Sequence, residues 1–305
     1  MEPFLALVGP TASGKTEAAL RVAEALGAEI LSIDSMQVYR GMDVGTAKPT
    51  AEQRARIRHH LLDLVDPSEV FSVAAFQAAA REAADDVRRR GARPLLVGGS
   101  GLYLRAVVDR LEFPGTESNV RDDLEEEAAF VGADRMHGRL AEMDPVAASK
   151  IEPANVRRTV RALEVAAITG RPFSSYASAW DDYPADRVRA AGVRLTPEQL
   201  SSRAEERVRE MLAAGWIEEV ETLVAGGFGG WLTSTQAIGY AELARHLAGE
   251  LSMEDAVRQT ITRTHRLARR QMAWFRRDPR IRWFDAGDGG AASVVDDLVA
   301  YLEGV

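Results

Sequence analysis

The stretch Phe4-Leu5-Ala6-Leu7-Val8-Gly9-Pro10-Thr11-Ala12-Ser13-Gly14-Lys15-Thr16 decides the fold. Its five apolar residues read as a buried strand, and the pattern G-x-x-x-x-G-K-[ST] follows in full at Gly9–Thr16. The amphipathic run from Lys15 to Leu26 reads as the helix that such a loop opens. Glycines let successive backbone N–H groups converge on phosphate oxygens, and the helix N-terminus adds its dipole. Gly9, Pro10, Thr11, Ala12, Ser13, Gly14, Lys15 and Thr16 are therefore the expected polyphosphate cradle. Lys15 supplies a point charge to a diphosphate, and the Thr16 hydroxyl is the expected Mg²⁺ ligand.

Outward from the loop, short apolar runs alternate with amphipathic stretches. Ile30–Ile33 and Leu95–Val97 read as further strands, and Val188–Leu195 with Ile281–Phe284 supply two more. The alternation predicts an α/β fold, a P-loop NTPase-like parallel sheet flanked by helices. After Phe113-Pro114-Gly115 the pattern turns helical, rich in Arg, Glu and Ala, until about Pro184. This predicts a helical insertion domain over 114–187, set into a core of 1–113 and 188–305 that ends in C-terminal helices. Thr196-Pro197-Glu198-Gln199 opens the first of those helices, with a Thr cap, Pro at the first position and Gln for a capping box.

The 305 residues include no cysteine, which removes disulfides, thiol catalysis and thiolate metal sites. His59 and His60 are adjacent and the other histidines stand apart, so metal spacing is absent. No run of eighteen apolar residues exists, and Pro3-Phe4-Leu5 begins without a basic leader. The expectation is a cytoplasmic monomer with no membrane association.

Net charge is −8, which taken alone argues against a nucleic-acid partner. Its distribution argues otherwise. Arg258–Arg282 holds nine arginines against the single acid Asp278, so this stretch carries +8 and the rest −16. At helical spacing Val257, Ile261, Ala268, Met272 and Phe275 share one side of it. Arg258, Arg263, Arg266, Arg269, Arg270, Arg276 and Arg277 share the other, the footprint of a phosphate-backbone binder.

A nucleotide hydrolase ends a second apolar strand in an acid that orients Mg²⁺ and water. Here Leu95-Leu96-Val97 runs instead into Gly98-Gly99-Ser100-Gly101, which weakens an energy-coupling reading. A carboxylate does follow Ile30-Leu31-Ser32-Ile33, as Asp34. Strand carboxyl ends face the ligand crevice in parallel α/β sheets, so Asp34 belongs near the phosphate loop, as a base, a metal-associated carboxylate or a turn cap. Arg207 falls beside the apolar stripe Leu200, Ala204, Met211 of its helix, and an inward guanidinium needs an anion, either a buried acid such as Glu242 or a ligand.

The residues Asp34-Ser35-Met36-Gln37-Val38-Tyr39-Arg40-Gly41-Met42-Asp43-Val44-Gly45-Thr46-Ala47-Lys48-Pro49 closely resemble the signature of bacterial tRNA dimethylallyltransferases (tRNA isopentenyltransferases). The resemblance continues through Gly98–Tyr103, Arg157–Glu164, Ala237–Tyr240 and Arg270–Phe275, in family order over nearly the whole chain. It implies transfer of the dimethylallyl group of dimethylallyl diphosphate to N6 of an adenosine. That adenosine lies 3′ of the anticodon in tRNAs reading codons that begin with U. It implies a P-loop that holds an isoprenoid diphosphate, Asp34 as general base, Thr16 as catalytic residue with Mg²⁺, and Arg207 as catalytic and diphosphate-binding.

For the anticodon stem-loop of tRNA it implies contacts from Asp34, Ser35, Met36, Gln37, Lys48, Ser100 and Arg121, and from the block Arg157, Arg158, Thr159, Val160 and Arg161. Gln236, Arg269, Arg270, Gln271, Trp274 and Arg276 complete the set. The chain departs from the family at Arg157, commonly Gln, and at Ser100, commonly Thr. The Pro/Gly boundaries of the insertion suit hinges by which it would close over RNA. Two other readings stand beside this one, an ATP-dependent phosphotransferase and a nucleotide-switched RNA-binding regulator.

Overall fold

In chain order the first half forms β1 (Phe4–Val8), α1 (Lys15–Leu26), β2 (Ala28–Ser32), α2 (Ala51–Arg56), β3 (His59–His60), α3 (Val73–Arg89), β4 (Arg93–Gly98) and α4 (Gly101–Val108). A computed structural model describes residues 2–109, 111–176 and 180–304. The expected domain ranges also include Met1, Arg110, 177–179 and Val305, which lie outside the described residues. Four helices follow, α5 (Ser118–Val131), α6 (Ala133–Met143), α7 (Pro145–Ala148) and α8 (Val156–Thr169). The chain then makes β5 (Val188–Arg194), α9 (Pro197–Ala213), α10 (Trp216–Ala225), α11 (Tyr240–Leu247), α12 (Met253–Phe275), β6 (Ile281–Asp285) and α13 (Val295–Glu303).

The sheet has six strands in the order β3-β2-β4-β1-β5-β6, each pair parallel. In β1 the side chains alternate between two cores. Ala6 and Val8 pack with Leu31, Phe76, Trp216, Tyr240 and Phe275, while Leu5 and Leu7 pack with Leu20, Leu95, Leu298 and Leu302. A strand covered on both faces needs no polar alternation, hence its unbroken apolar run. Val8 pairs in register with Gly98 and Gly192, so the carboxyl ends of β4, β1 and β5 are level where the phosphate loop begins.

Strands at 30–33 and 95–97 were expected, and both start earlier, at Ala28 and Arg93. Glu29 hides the onset of β2, because this polar residue is half-buried by His60 at 2.6 Å and Arg90 at 2.7 Å. β3 carries no apolar run and exists through its pairing with Ile30 and Leu31. The capping box at Thr196 and Gln199 is formed as the sequence predicts, with Pro197 at the first turn.

The chain divides into two compact units, Met1–Val108 with Ala185–Val305, and Asp109–Pro184. The second begins and ends a few residues before the expected 114–187. It has its own core, in which Leu124, Met136, Leu140, Ile151 and Leu163 are buried. Glu164 is fully buried there and accepts hydrogen bonds from Arg121 at 2.6 Å, Arg161 at 2.7 Å and the Glu117 amide at 3.2 Å.

Candidate active site

The phosphate loop turns through Ala12 and Gly14 at φ 63° and 80°. An alanine at positive φ is uncommon and must be held. Arg203 on α9 does so, donating through Nε to the Ala12 carbonyl at 3.0 Å and through a terminal nitrogen to Asp288 O at 3.0 Å. The Ala291 amide takes the Ser13 carbonyl at 2.9 Å, and Gln271 Oε1 on α12 accepts from the Thr11 amide at 2.8 Å. These bonds occupy the Ala12 and Ser13 carbonyls and the Thr11 amide. The Lys15 ammonium donates to Pro10 O at 2.5 Å and Ser13 Oγ at 3.2 Å. Burial first, then the Arg207 charge, push its pKa down to about 7, against the pull of Asp34.

Two chambers meet at this loop. The smaller, about 100 Å³, is lined by Ser13, Lys15, Thr16, Ser32, His59 and Gly98 among others. The larger, about 470 Å³, is lined by Ser35, Met36, Ala204, Val208, Met211, Trp216, Gln236, Ile238, Arg266 and Arg270 among others. Thr11, Asp34, Thr46, Arg207 and Gln271 line both, so they form the partition between them. Asp34 follows β2, and its Oδ1 accepts from the Met36 amide at 2.8 Å. The turn bond and the place on the partition coexist; one fixes the carboxylate for the other.

Arg207 is half-buried on α9, flanked by Ala204, Val208 and Met211. Glu242 does not pair with it, since that carboxylate accepts from the Gly239 amide at 2.9 Å and from Arg263. Among the described residues no acid lies in ion-pair contact with Arg207; burial lowers its pKa and Asp34 is the main charge that opposes this. A desolvated guanidinium beside a desolvated ammonium, with the partition carboxylate nearby, is a site built for an anion.

Other expected residues fall into two groups. Ser35, Met36, Gln236, Arg270 and Gln271 are brought together around the large chamber. Arg269 and Arg276 are exposed on or beside α12, while Trp274 packs against Gly101, next to Ser100. Ser100 itself caps α4 by accepting from the Tyr103 amide at 3.3 Å. Arg157 and Arg158 are exposed at the start of α8.

Several of the residues expected to contact RNA have partners within the protein. Lys48 is buried and holds Asp43 and Asp63 at 2.6 Å each and Tyr39 O at 2.5 Å, so its charge is already neutralised. The Gln37 amide is engaged on both sides, accepting from Ser32 Oγ at 2.8 Å and donating to Thr46 O and Ala47 O at 3.1 Å. Thr159 and Val160 face the core of their unit. Arg121 and Arg161 are turned onto Glu164, and Arg161 also donates to Pro114 O and Gly115 O. Arg263, counted in the basic stripe, is committed to Glu242.

Glu219 on α10 is a functional candidate that sequence reading missed. It accepts from the Asp43, Val44 and Gly45 amides at 2.8, 2.7 and 3.2 Å and from the Tyr240 hydroxyl at 2.6 Å. In a stretch reading Glu218-Glu219-Val220-Glu221 nothing local distinguishes it from a solvated helix face. Arg203 and His59 were missed for the same reason; His59 lines the small chamber, and burial lowers its pKa.

Among the described residues no helix is long and apolar enough to cross a membrane, and no group of three or more His, Asp or Glu could hold a metal ion.

Residues 37–278 match the family model described as IPP transferase. The chain is 49% identical to a tRNA dimethylallyltransferase of Salinispora arenicola, over 97% of this chain and 85% of that protein. It is 47% identical to one of Nocardioides, over 99% and 97%. A crystal structure of a tRNA isopentenylpyrophosphate transferase from Bacillus halodurans superposes with TM-score 0.69 at 38% identity, covering 99% of this chain and 97% of that one. A eukaryotic dimethylallyltransferase described as acting on tRNA superposes with TM-score 0.82 at 25% identity, covering 98% and 78%.

Proposed function

The chain belongs to the IPP transferase family, a tRNA-modifying prenyltransferase, and from that premise we propose that it moves the dimethylallyl group of dimethylallyl diphosphate onto N6 of the adenosine 3′ of the anticodon in tRNAs reading codons that begin with U. The observation that carries the reading is Asp34 on the partition between a chamber lined by the phosphate loop and a larger one. An exocyclic amine is a poor nucleophile because its lone pair is delocalised into the purine. As the bond from N6 to the allylic carbon forms and the carbon–oxygen bond to the diphosphate breaks, the Asp34 carboxylate takes the N6 proton. A base so placed contributes roughly 10²–10⁴-fold. Charge that builds on the departing diphosphate would fall to Lys15, Arg207 and the loop amides.

Mg²⁺ fits the residues present. The chamber offers the Thr16 hydroxyl and the Asp34 carboxylate rather than a carboxylate cage, the sparse donor set suited to an ion held largely by substrate phosphates and water. When bound it would neutralise diphosphate charge. The target base must leave its stack to reach Asp34. Ser35 and Met36 would flank it, and Arg269, Arg270 and Arg276 would engage the phosphates of the stem-loop. One chain lines both chambers, which supports a monomer as the acting form, in the cytoplasm where tRNA is found.

Unmodified tRNA, Mg²⁺ and labelled dimethylallyl diphosphate, incubated with the protein, should yield label in RNA as the N6-substituted adenosine. Unlabelled RNA together with ATP-dependent phosphoryl transfer would overturn the reading in favour of a phosphotransferase.

A further inference from the structure

The indole of Trp216 lines the large chamber. Trp216 is only 2% exposed and opens α10 immediately after the turn that ends α9. A Cβ added at Gly45 would lie 2.0 Å from its Nε1, and one added at Gly239, where φ is 91°, would lie 2.1 Å from Cη2. Two positions distant in sequence are thus glycine because the ring occupies the space of a side chain. Tyr240 braces the same ring edge-on at 5.7 Å, and among the described residues the indole N–H has no hydrogen-bond partner. A ring fixed from three sides, at the cost of an unpaired donor, is a rigid wall.

The position of that wall relative to the donor follows from α9. Ala204, Arg207, Val208 and Met211 all line the chamber and form one stripe of the helix. At 1.5 Å rise per residue, Met211 stands about 6 Å beyond Arg207 along the axis. At ordinary bond lengths a dimethylallyl chain extends roughly 5 Å past its bridging oxygen. A donor anchored by its diphosphate at Lys15 and Arg207 would run along the stripe and end near Met211, with Trp216 next.

We propose that Trp216, with Met211 before it, is the end-stop that restricts the enzyme to a five-carbon prenyl donor. This rests on the donor placement proposed above. A ten-carbon donor meets the indole before its diphosphate can seat. With the wall drawn back the same step proceeds: the carbon–oxygen bond to diphosphate breaks, the bond from N6 to the allylic carbon forms, and the N6 proton passes to Asp34.

The test is transfer from dimethylallyl and geranyl diphosphate to unmodified tRNA by the wild type, Trp216→Ala and Trp216→Leu, with products identified by nucleoside mass. In the variants the ratio of kcat/KM for dimethylallyl over geranyl diphosphate should fall by at least about tenfold, with KM for tRNA unchanged. An unchanged ratio in a variant that melts cooperatively and still transfers the dimethylallyl group would overturn the end-stop. Should both Trp216 variants fail to fold, Met211→Ala must shift the ratio in the same direction, and no shift there overturns it equally. Wild-type protein that transfers no dimethylallyl group would defeat the donor reading itself, a result separable from the others because it needs no variant.

Discussion

Asp34 and Lys15 face the same partition with opposite demands on their protons. Asp34→Asn keeps the side-chain oxygen that accepts from the Met36 amide, so the turn survives while the proton acceptor is lost. Turnover should fall by at least about 10²-fold with tRNA affinity nearly intact; a binding assay beside single-turnover kinetics checks this, and parallel loss of both contradicts the base role. Lys15 starts from the other side. In the free protein its pKa is pushed down to about 7, below its unfolded value, so the unfolded chain binds more protons between that pH and the ordinary lysine range. With respect to this group stability therefore rises with pH across that window and its burial costs most below it. A bound diphosphate favours the ammonium, so donor binding above pH 7 takes up a proton. Affinity should weaken by up to about tenfold per pH unit there, and calorimetry in buffers of different ionisation enthalpy should register the uptake. Buffer-independent heats would place the Lys15 proton elsewhere.

At the scale of elements, α10 and α12 act on the site from opposite directions. α10 presents Glu219, whose carboxylate gathers three consecutive amides of the segment that forms the Gly45–Thr46 wall. Glu219→Ala leaves those amides and the Tyr240 hydroxyl without an acceptor and should cost about 2 kcal/mol of stability. KM for tRNA should rise more than kcat falls; denaturant melts and steady-state kinetics on the same preparation separate the effects. α12 gives its inner side to the core through Ala268, Met272 and Phe275 and its outer side to arginines. Neutralising Arg269, Arg270 and Arg276 together should flatten the logarithmic salt dependence of tRNA affinity by up to about 0.9 for each lost phosphate contact. An unchanged slope would move the RNA surface away from this helix. The strand–loop–helix at the N-terminus and the α9 cap were legible because their signals are local. Glu219 was not, since its role exists only where residue 219 meets residues 43–45.

For the molecule as a whole, the division of charge explains how an acidic chain suits an RNA substrate. The basic stripe was legible in the sequence; which of its members are free was not. Arg263 is spent on Glu242, and outside the stripe Arg121 and Arg161 are spent on Glu164. Lys48 likewise serves the segment it belongs to. Long-range pairing of this kind leaves no trace in spacing or composition, because a basic residue near a motif looks the same whether its partner is a phosphate or a carboxylate from another element. The motif therefore indicated the ligand class, and only tertiary geometry shows which basic residues already have partners within the protein.

The bracing of the phosphate loop by Ala291 and by the Arg203 link to Asp288 makes the loop depend on distant parts of the chain. Arg203 and Ala291 hold the Ala12 and Ser13 carbonyls from positions far along the sequence. The motif alone is therefore an unbraced loop, and the braced one exists only once α9 and the segment before α13 have packed against it.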